Sequence, residues 1–220
     1  MKDYLDLLAS SRLFENVPRE LIRDEILPRG RVTAYPKGSA VILPGDRVTD
    51  VRILLSGKIR PVYYAENGDE DRKFPIFPPK AVGIDLICTR TKLSPYLAGA
   101  AEPSEIFSFP SELLLEPGRL PEEMRQTCIR NLLLILSHVN MQNEYRLAIL
   151  TQNGLRDRIL VYLRMQANKA GSRTFSIPFS REEMASFLRV NRSALSHELS
   201  LMRAEGILDF RKNEFTLREE

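Results

Sequence analysis

The sequence holds few of the residues on which disulfide and metal chemistry depends. Its 220 residues include only two cysteines, Cys88 and Cys128, and two histidines, His138 and His197. Neither cysteine belongs to a C-x-x-C pair, so no disulfide framework or structural zinc site is indicated. We interpret both thiols as buried core residues. The two distant histidines also lack the neighbouring carboxylates that a metal centre would need.

Long apolar runs are missing as well. No run approaches the ~18 apolar residues that a membrane-spanning helix needs, and residues 1–6 lack the apolar core of a signal peptide. Hydrophobic residues make up 43% and charged residues 28% of the chain, as in globular proteins. We therefore expect a cytoplasmic protein without a membrane partner, long enough to build two modest cores.

The net charge of +3 is unevenly distributed. Residues 1–150 hold 20 Lys/Arg against 20 Asp/Glu, whereas residues 151–220 hold 12 against 9. The whole basic excess lies in the last third of the chain. If the protein contacts nucleic acid, this part is where we expect the contact.

The spacing of apolar residues predicts a change of structure near residue 31. Residues 3–27 show the mixed three- and four-residue spacing of short helices. Short β-rich runs separated by glycine-containing turns follow, which predicts a sandwich or barrel. Asn67-Gly68 between two such runs predicts a tight hairpin. The predicted strands are residues 41–43, 51–55, 59–64, 74–77 and 105–109.

A single helix of about thirty residues is predicted after Pro121. Its apolar positions alternate by four and three residues, as in a coiled-coil seam with two polar members. Such a helix is roughly 45 Å long, so it needs a partner surface. A second copy of the chain is one candidate, and the protein's own β-domain is the other. The seam consists of Ile129, Leu133, Leu136, Asn140, Asn143, Leu147 and Leu150.

Two short helices with separate start signals are predicted between residues 180 and 206. Ser180 and Glu183 form a capping box that opens the first helix. Asn191 can cap the second helix, and Gly206 can end it. The apolar positions are Met184, Phe187 and Leu188 on the first helix and Leu195, Leu199 and Met202 on the second. Ala185 is small where the two helices must approach closely.

The remaining side of the second helix is polar in its first two turns. A recognition helix presents its N-terminal residues to base edges in the major groove, which this arrangement suits. Residues 207–217 then predict a β-hairpin wing with a basic turn. We predict a DNA-binding surface made of Ser180, Arg181, Asn191, Arg192, Ser193, Ser196, His197, Arg211 and Lys212.

The order of these elements resembles the Crp/Fnr family of bacterial transcription regulators over nearly the whole chain. Residues 190–199 match the recognition helix of that family, and residues 155–160 resemble the helix that follows its dimer helix. The resemblance implies an α+β architecture with a jelly-roll-like β-roll sensor domain at residues 1–118. A dimerisation helix at 119–150 and a winged helix-turn-helix at 151–220 would complete it. It also implies a homodimer, a palindromic operator in double-stranded DNA, and RNA polymerase as a partner.

Three residues depart from the family pattern. Arg192 falls where the family has an arginine that contacts guanine or phosphate. However, Ser193 stands in place of a base-reading glutamate and His197 in place of a second arginine. The operator of the better-known members therefore cannot be transferred. Arg189 replaces a turn glycine, and positive φ there would cost on the order of 1 kcal/mol.

The predicted sensor lacks the residues of the known effector classes. Members that bind cyclic AMP hold its phosphate with an Arg-Ser pair, but no arginine stands beside Ser94, so we do not expect cyclic-nucleotide binding. Lys92 could supply only a point charge. The cysteines of the iron–sulfur members are absent. The predicted effector pocket, for an unidentified small molecule, consists of Gly83, Asp85, Lys92, Ser94, Tyr96, Leu132 and Leu136. Tyr96 could equally be a core aromatic.

The sequence thus predicts a DNA-binding transcription regulator, controlled by a small effector and without catalytic activity or an identified cofactor. Two other classes compete with this interpretation. A cupin-like metalloenzyme would share the β-roll but needs a cluster of metal ligands. A sensor module that binds only proteins would have no affinity for DNA.

Overall fold

A computed structural model describes residues 4–64 and 70–218. The chain forms two compact units, divided between Asn140 and Met141. The division falls within the long helix predicted after Pro121, at residues 122–150, so the predicted three-part domain boundaries stay a prediction. None of the described helices combines the length and the apolar composition of a membrane span.

The first unit opens with short helical turns. They are α1 (Leu5–Ala9), a 3₁₀ turn (Arg12–Phe14), α2 (Arg19–Leu21), a π-helical turn (Ile22–Ile26) and a second 3₁₀ turn (Leu27–Arg29). α1, the first 3₁₀ turn and the π-helical turn bury apolar side chains in the core, whereas Leu21 of α2 and Leu27 of the second 3₁₀ turn pack partly buried against it. This alternation explains the mixed spacing of the sequence. Leu8, Leu13, Phe14, Ile22 and Ile26 are at most 1% exposed.

Two antiparallel sheets follow. The first has the order β1 (Arg31–Tyr35), β7 (Ser104–Pro110), β3 (Asp50–Ser56). The second has the order β2 (Ala40–Ile42), β6 (Leu97–Ala100), β4 (Ile59–Tyr64), β5 (Glu70–Arg72). Both sheets contribute to one apolar core, as the predicted β-roll requires. Gly57 turns β3 into β4 at φ +85°, where any side chain would collide with Pro103 and Ser104.

The first unit differs in several places from what the sequence predicts. Residues 74–77 do not form a strand, since only Ile76 bridges to Ile59 and Pro75 has no N–H to donate. β1, β5 and β6 were not predicted. Cys88 is exposed, so the expectation of two buried thiols holds only for Cys128. The hairpin predicted at Asn67-Gly68 lies outside the described residues, although β4 and β5 do pair as antiparallel neighbours.

After α3 (Glu112–Leu115), the long helix α4 runs from Glu122 to Leu150. One side of its first half packs on the roll through Met124, Cys128 and Leu132. Asn131 Nδ2 also donates to the carbonyl oxygens of Leu13 at 3.1 Å and Glu15 at 2.8 Å. These contacts hold the first half of α4 against the N-terminal helical turns and the core of the roll.

The other side of α4 carries large apolar side chains that nothing within the described chain covers. Leu133 is 60% exposed and Leu147 is 58% exposed. The two proposed partner surfaces are therefore not exclusive, because one side of α4 packs on the roll while another is free for a second chain. The exposed apolar set is Leu133, Leu134, Met141, Tyr145 and Leu147.

The second unit consists of α5 (Leu155–Ala170), β8 (Thr174–Ser176), α6 (Arg181–Phe187), α7 (Arg192–Ala204), β9 (Leu208–Arg211) and β10 (Glu214–Leu217). Its strands form one antiparallel sheet in the order β8-β10-β9. An aromatic cluster joins α5 to α6, with the Tyr162 ring centroid 5.8 Å from that of Phe179 and 5.4 Å from that of Phe187. The predicted helices and wing are thus present.

Candidate nucleic-acid interface and effector site

The first helix of the predicted helix-turn-helix begins at the predicted capping box. Ser180 Oγ accepts from the Glu183 N–H at 3.2 Å, while Glu183 Oε2 accepts from the Ser180 N–H at 2.8 Å. These two bonds satisfy N–H groups that the first turn of α6 would otherwise leave without partners. Met184, Ala185 and Phe187 are buried, so the apolar stripe of α6 faces the core.

The turn between α6 and α7 contains a non-glycine residue in the left-handed region. Arg189 has φ +56°, as expected from its place at a family turn glycine. Its N–H donates to the Ser186 carbonyl at 3.2 Å, and the Val190 N–H donates to the Ala185 carbonyl at 3.0 Å. The backbone bonds of the turn therefore form despite the cost of the left-handed conformation.

The second helix, α7, is fixed at both ends and along one side. Asn191 Oδ1 accepts from the Ala194 N–H at 2.7 Å, so the predicted N-cap is present. At the other end Gly206 has φ +77°, and the Ile207 N–H reaches the Met202 carbonyl at 3.0 Å, as in a Schellman motif. The apolar side of the helix is fully buried, with Leu195, Leu199 and Met202 at 0% exposure.

The opposite side of α7 begins with the predicted base-reading residues. Arg192, Ser193 and His197 are exposed and Ser196 is half-buried. We call these four residues the recognition face. Ser193 Oγ donates to Asn191 Oδ1 at 2.8 Å, which orients the serine beside the cap. The Arg192 side chain makes no ion pair or hydrogen bond within the described chain, so its guanidinium is available to an incoming ligand.

The wing presents two exposed cations beside its turn. Arg211 ends β9, and Lys212 occupies the two-residue turn with φ +55°. The predicted basic turn is therefore shorter than expected, because Arg211 and Glu214 are paired strand residues. Both cationic side chains are exposed.

Arg181 differs from the other predicted DNA-binding residues because it is occupied within the domain. Its guanidinium carbon lies 4.9 Å from the ring centroid of Phe210 and 5.3 Å from that of Phe215. One terminal nitrogen donates to the Lys212 carbonyl at 3.2 Å. Burial lowers the pKa of Arg181 from its ordinary value of 12.5. The side chain joins the start of α6 to the wing and is half-buried there.

Two arginines of α5, Arg156 and Arg158, contact the helix-turn-helix, although no sequence pattern had selected them. Arg156 forms ion pairs with Glu198 of α7 and with Glu205, the residue directly after α7, with nitrogen–oxygen distances of 2.6 Å to each carboxylate. Arg158 donates to the carbonyl oxygen of Gln152 at 3.1 Å and to that of Leu188 at 3.3 Å. The partners lie up to 49 residues away in the chain. Only the resemblance of residues 155–160 to a family helix pointed to this region.

The predicted effector residues of the roll include one polar pair. Tyr96 Oη donates to Asp85 Oδ1 at 3.0 Å, and the Tyr96 ring centroid lies 5.1 Å from that of Tyr63. Tyr96 is 6% exposed, so burial, followed by the nearby Asp85 carboxylate, raises the pKa of its phenol well above the ordinary value. Tyr96 is thus both a core aromatic and a hydroxyl beside a carboxylate.

The other predicted effector residues are less available to a ligand. Ser94 is 3% exposed, and its hydroxyl donates to the Tyr96 carbonyl at 2.7 Å, so it already has a partner. Gly83 is buried at φ +69°, where a side chain would meet Ile42. Lys92 is half-buried in the left-handed region, with φ +55°. Leu132 is 3% exposed in the core of the roll, and Leu136 packs against that core.

The described part of the chain brings no metal-ligating set together. Within residues 4–64 and 70–218, no three His, Cys, Asp or Glu side chains lie close enough to hold a metal ion. His138 and His197 are both exposed, on α4 and α7 respectively. The cupin-like metalloenzyme therefore gains no support from the described residues.

Comparison with known proteins agrees with this geometry. Residues 157–220 match the family of Crp-like helix-turn-helix domains. The transcriptional activator protein FnrA of Stutzerimonas stutzeri is 25% identical over 191 residues, which cover 84% of this chain and 75% of the relative.

Two solved structures share the fold. The c-di-GMP responsive global regulator CLP of Xanthomonas campestris matches with a TM-score of 0.68 and 16% identity, over 90% of this chain and 98% of that one. The OCPA complex of CprK matches with a TM-score of 0.66 and 24% identity, over 90% and 91% of the two chains.

The β-roll, the long helix and the winged helix-turn-helix together define a DNA-binding regulator. The chain is a DNA-binding transcription regulator, with a Crp-like helix-turn-helix domain and with similarity to Crp/Fnr regulators in sequence and fold. Its domain content removes the alternative of a sensor module that binds only proteins.

Proposed function

We propose that this regulator acts as a homodimer that reads a palindromic operator with α7 and carries out no catalysis. The single observation that carries the proposal is the recognition face, where Arg192, Ser193 and His197 are exposed opposite a fully buried apolar side. This division fixes which side chains point away from the domain. Residues at the start of such a helix are those that reach base edges in the major groove.

The proposed dimer uses the exposed apolar side of α4. Leu133 is 60% exposed and Leu147 is 58% exposed. Leaving these side chains in water is costly, since burying a side chain of this size stabilises a protein by about 1.5–3 kcal/mol. Asn140 and Asn143 are exposed between them, where polar members fix the register of a coiled coil. A dimer would place two recognition faces about one DNA turn apart, roughly 34 Å.

The proposed roles of the DNA-binding residues differ. Arg192 suits a bidentate contact to guanine, whereas Ser193, Ser196 and His197 suit single hydrogen bonds to bases or phosphates. At the N-terminus of α6, beside Ser180, the N–H groups that the capping box leaves free can bind a phosphate. The N-terminus of α7, which Asn191 caps, can bind a second phosphate in the same way. Arg211 and Lys212 suit phosphates beside the wing. Arg181 stabilises the wing by packing against its aromatic rings.

The proposed effector is a small molecule bound in the roll beside Asp85 and Tyr96. These side chains offer a carboxylate and a hydroxyl in a largely apolar surrounding, which is the usual composition of a small-molecule site. CprK is known as a complex with OCPA and CLP as responsive to c-di-GMP, so similar folds take chemically different ligands. Cyclic AMP and cyclic GMP are not expected. Binding of the effector would shift the conformational equilibrium of α4 and thereby the orientation of the recognition helices. RNA polymerase is the proposed protein partner of the DNA-bound regulator.

Selection of binding sites from random double-stranded DNA tests the proposal. We expect a palindrome whose half-site centres are separated by about 10 base pairs. Enrichment of one unpaired half-site would contradict the dimer, and the absence of any enriched sequence would contradict sequence-specific binding. Metal analysis of the same purified protein provides a further check, because stoichiometric iron, manganese or zinc would revive the metalloenzyme alternative.

A further inference from the structure

Arg156, the second residue of α5, binds two carboxylates at once, that of Glu198 in α7 and that of Glu205, the residue that caps the C-terminus of α7. Its Nε donates to Glu198 Oε1 at 2.6 Å, and its two terminal nitrogens donate to the oxygens of Glu205 at 2.6 and 2.9 Å. Glu198 and Glu205 are seven residues apart, which places them on one side of the helix about 10 Å apart along the axis. We call these three side chains the α5–α7 clamp.

The clamp lies close to the recognition face along the chain. Glu198 directly follows His197 and lies two residues after Ser196. A helix is stiff over two turns, so a rotation or slide of α7 that shifts Glu198 and Glu205 also shifts the recognition face. Two attachment points oppose both movements, whereas a single ion pair would allow α7 to pivot about it.

We propose that Arg156 is a positioning residue for DNA recognition, which acts through the orientation of α7 and not by contact with a base. The inference rests on the proposed function of the recognition face. The Arg156 side chain is 37% exposed and that of Glu205 is 45% exposed, and ion pairs this exposed add little to stability. The contact of one arginine with two carboxylates nevertheless fixes the orientation of α7. Contacts to DNA bases require side chains to be placed within about 0.5 Å.

A direct phosphate contact by Arg156 is the main competing explanation. If the arginine bound phosphate, its loss would weaken binding to every DNA sequence and lower the salt slope by about one unit. Glu205 separates the two explanations because its charge has the opposite sign. Removing a carboxylate near DNA strengthens electrostatic binding, whereas loosening the clamp reduces the preference for the selected site over random DNA.

The test compares full-length Arg156→Lys, Glu205→Gln and the double variant on the selected site and on random DNA across salt concentrations. Arg173→Lys is the matched control, since Arg173 is an exposed arginine of the same unit with no part in the clamp. We expect each single variant to lose roughly fivefold in the ratio of specific to random affinity, with the salt slope unchanged. The double variant should lose no more than Arg156→Lys alone, because that substitution already disrupts the contact with Glu205. Circular dichroism monitors folding.

Three results would overturn the inference: an equal loss on both DNAs for Arg156→Lys, an unchanged ratio for Glu205→Gln, or additive losses in the double variant. Arg192→Ala, measured in parallel, tests the recognition face itself. If Arg192→Ala lowers the ratio while the clamp variants do not, only the role of Arg156 is wrong. If Arg192→Ala leaves the ratio unchanged, the proposed function fails and the role of Arg156 fails with it.

Discussion

The guanidinium carbon of Arg146 lies 5.4 Å from the centroid of the Phe187 ring. Arg146 belongs to the last part of α4 and Phe187 ends α6, so the contact joins the long helix to the first helix of the helix-turn-helix. Arg146 is 5% exposed and Phe187 is 1% exposed. A cation over an aromatic ring that is shielded from water in this way contributes about 2 kcal/mol.

Replacing Arg146 with alanine should therefore destabilise the second unit. We expect Arg146→Ala to lower the free energy of unfolding by about 1–3 kcal/mol, through the lost cation–ring contact and the lost packing of its aliphatic stem. Urea unfolding followed by circular dichroism measures this. Arg130→Ala, at an exposed arginine of the same helix, should change it by less than about 0.5 kcal/mol. Equal effects of the two substitutions would show that the contact with Phe187 carries no stability.

The exposed side of α4 predicts the oligomeric state. Light scattering should give the unmodified chain a mass near twice 25.2 kDa. Leu133→Asp combined with Leu147→Asp should give monomers, because two charges would be buried in an apolar seam. Leu93→Asp is the matched control, since Leu93 is 47% exposed on the roll and should leave the dimer intact. A monomeric mass for the unmodified chain would contradict the dimer.

The two cysteines should differ in reactivity because one is exposed and the other is buried. Burial raises the pKa of the Cys128 thiol from 9.0 to about 12, whereas Cys88 is exposed. Iodoacetamide at pH 8 should therefore label Cys88 in the folded protein and Cys128 only in urea, as read by mass spectrometry. Since folding favours the neutral Cys128 thiol, its contribution to stability is complete below pH 9 and is lost as the pH rises towards 12.

The control for this labelling experiment is Cys88→Ser, which should take up no label while folded. Equal labelling rates of Cys88 and Cys128 in the folded protein would contradict the burial of Cys128 in the core of the roll.

The roll should bind cyclic nucleotides weakly or not at all. The Ser94 hydroxyl donates to the Tyr96 carbonyl, and no arginine stands beside it to hold a cyclic phosphate. Calorimetry with cyclic AMP and cyclic GMP should therefore show no binding at micromolar concentration. Micromolar affinity for either would contradict this, and would make Asp85, Lys92 and Ser94 the contacts to substitute next.

The sequence predicted the second unit better than the roll, and the reason is local. The capping box at Ser180, the cap at Asn191 and the apolar stripe of α7 are signals within a few residues of one another. β6, by contrast, has the sequence LAGA, a weak strand former that pairs because β2 and β4 lie on either side of it. Residues 74–77 show the opposite error, since an apolar run containing Pro75 cannot complete a ladder.

The candidate DNA-binding site likewise contains some residues that local sequence patterns predict and others that only tertiary packing brings together. The exposure of Arg192 followed from the helical period, because Leu195, Leu199 and Met202 fix the buried side of α7. The contacts of Arg156 with Glu198 and Glu205 depend on how α5 packs against α7, which pairs residues 42 and 49 positions apart. No local pattern predicts such a contact. The packing of Arg181 between α6 and the wing is of the same kind.

A comparison of Arg192→Ala with the double variant Arg211→Ala/Lys212→Ala, on the selected site and on scrambled DNA across salt concentrations, tests whether Arg192 reads the operator sequence. Arg192→Ala should leave the fold intact and weaken specific binding by roughly 1–3 kcal/mol, with little loss on scrambled DNA. The wing variant should weaken both equally and lower the salt slope by about one unit per lost phosphate contact. If Arg192→Ala bound the selected site as tightly as the unmodified protein, the assignment of α7 as the recognition helix would be wrong.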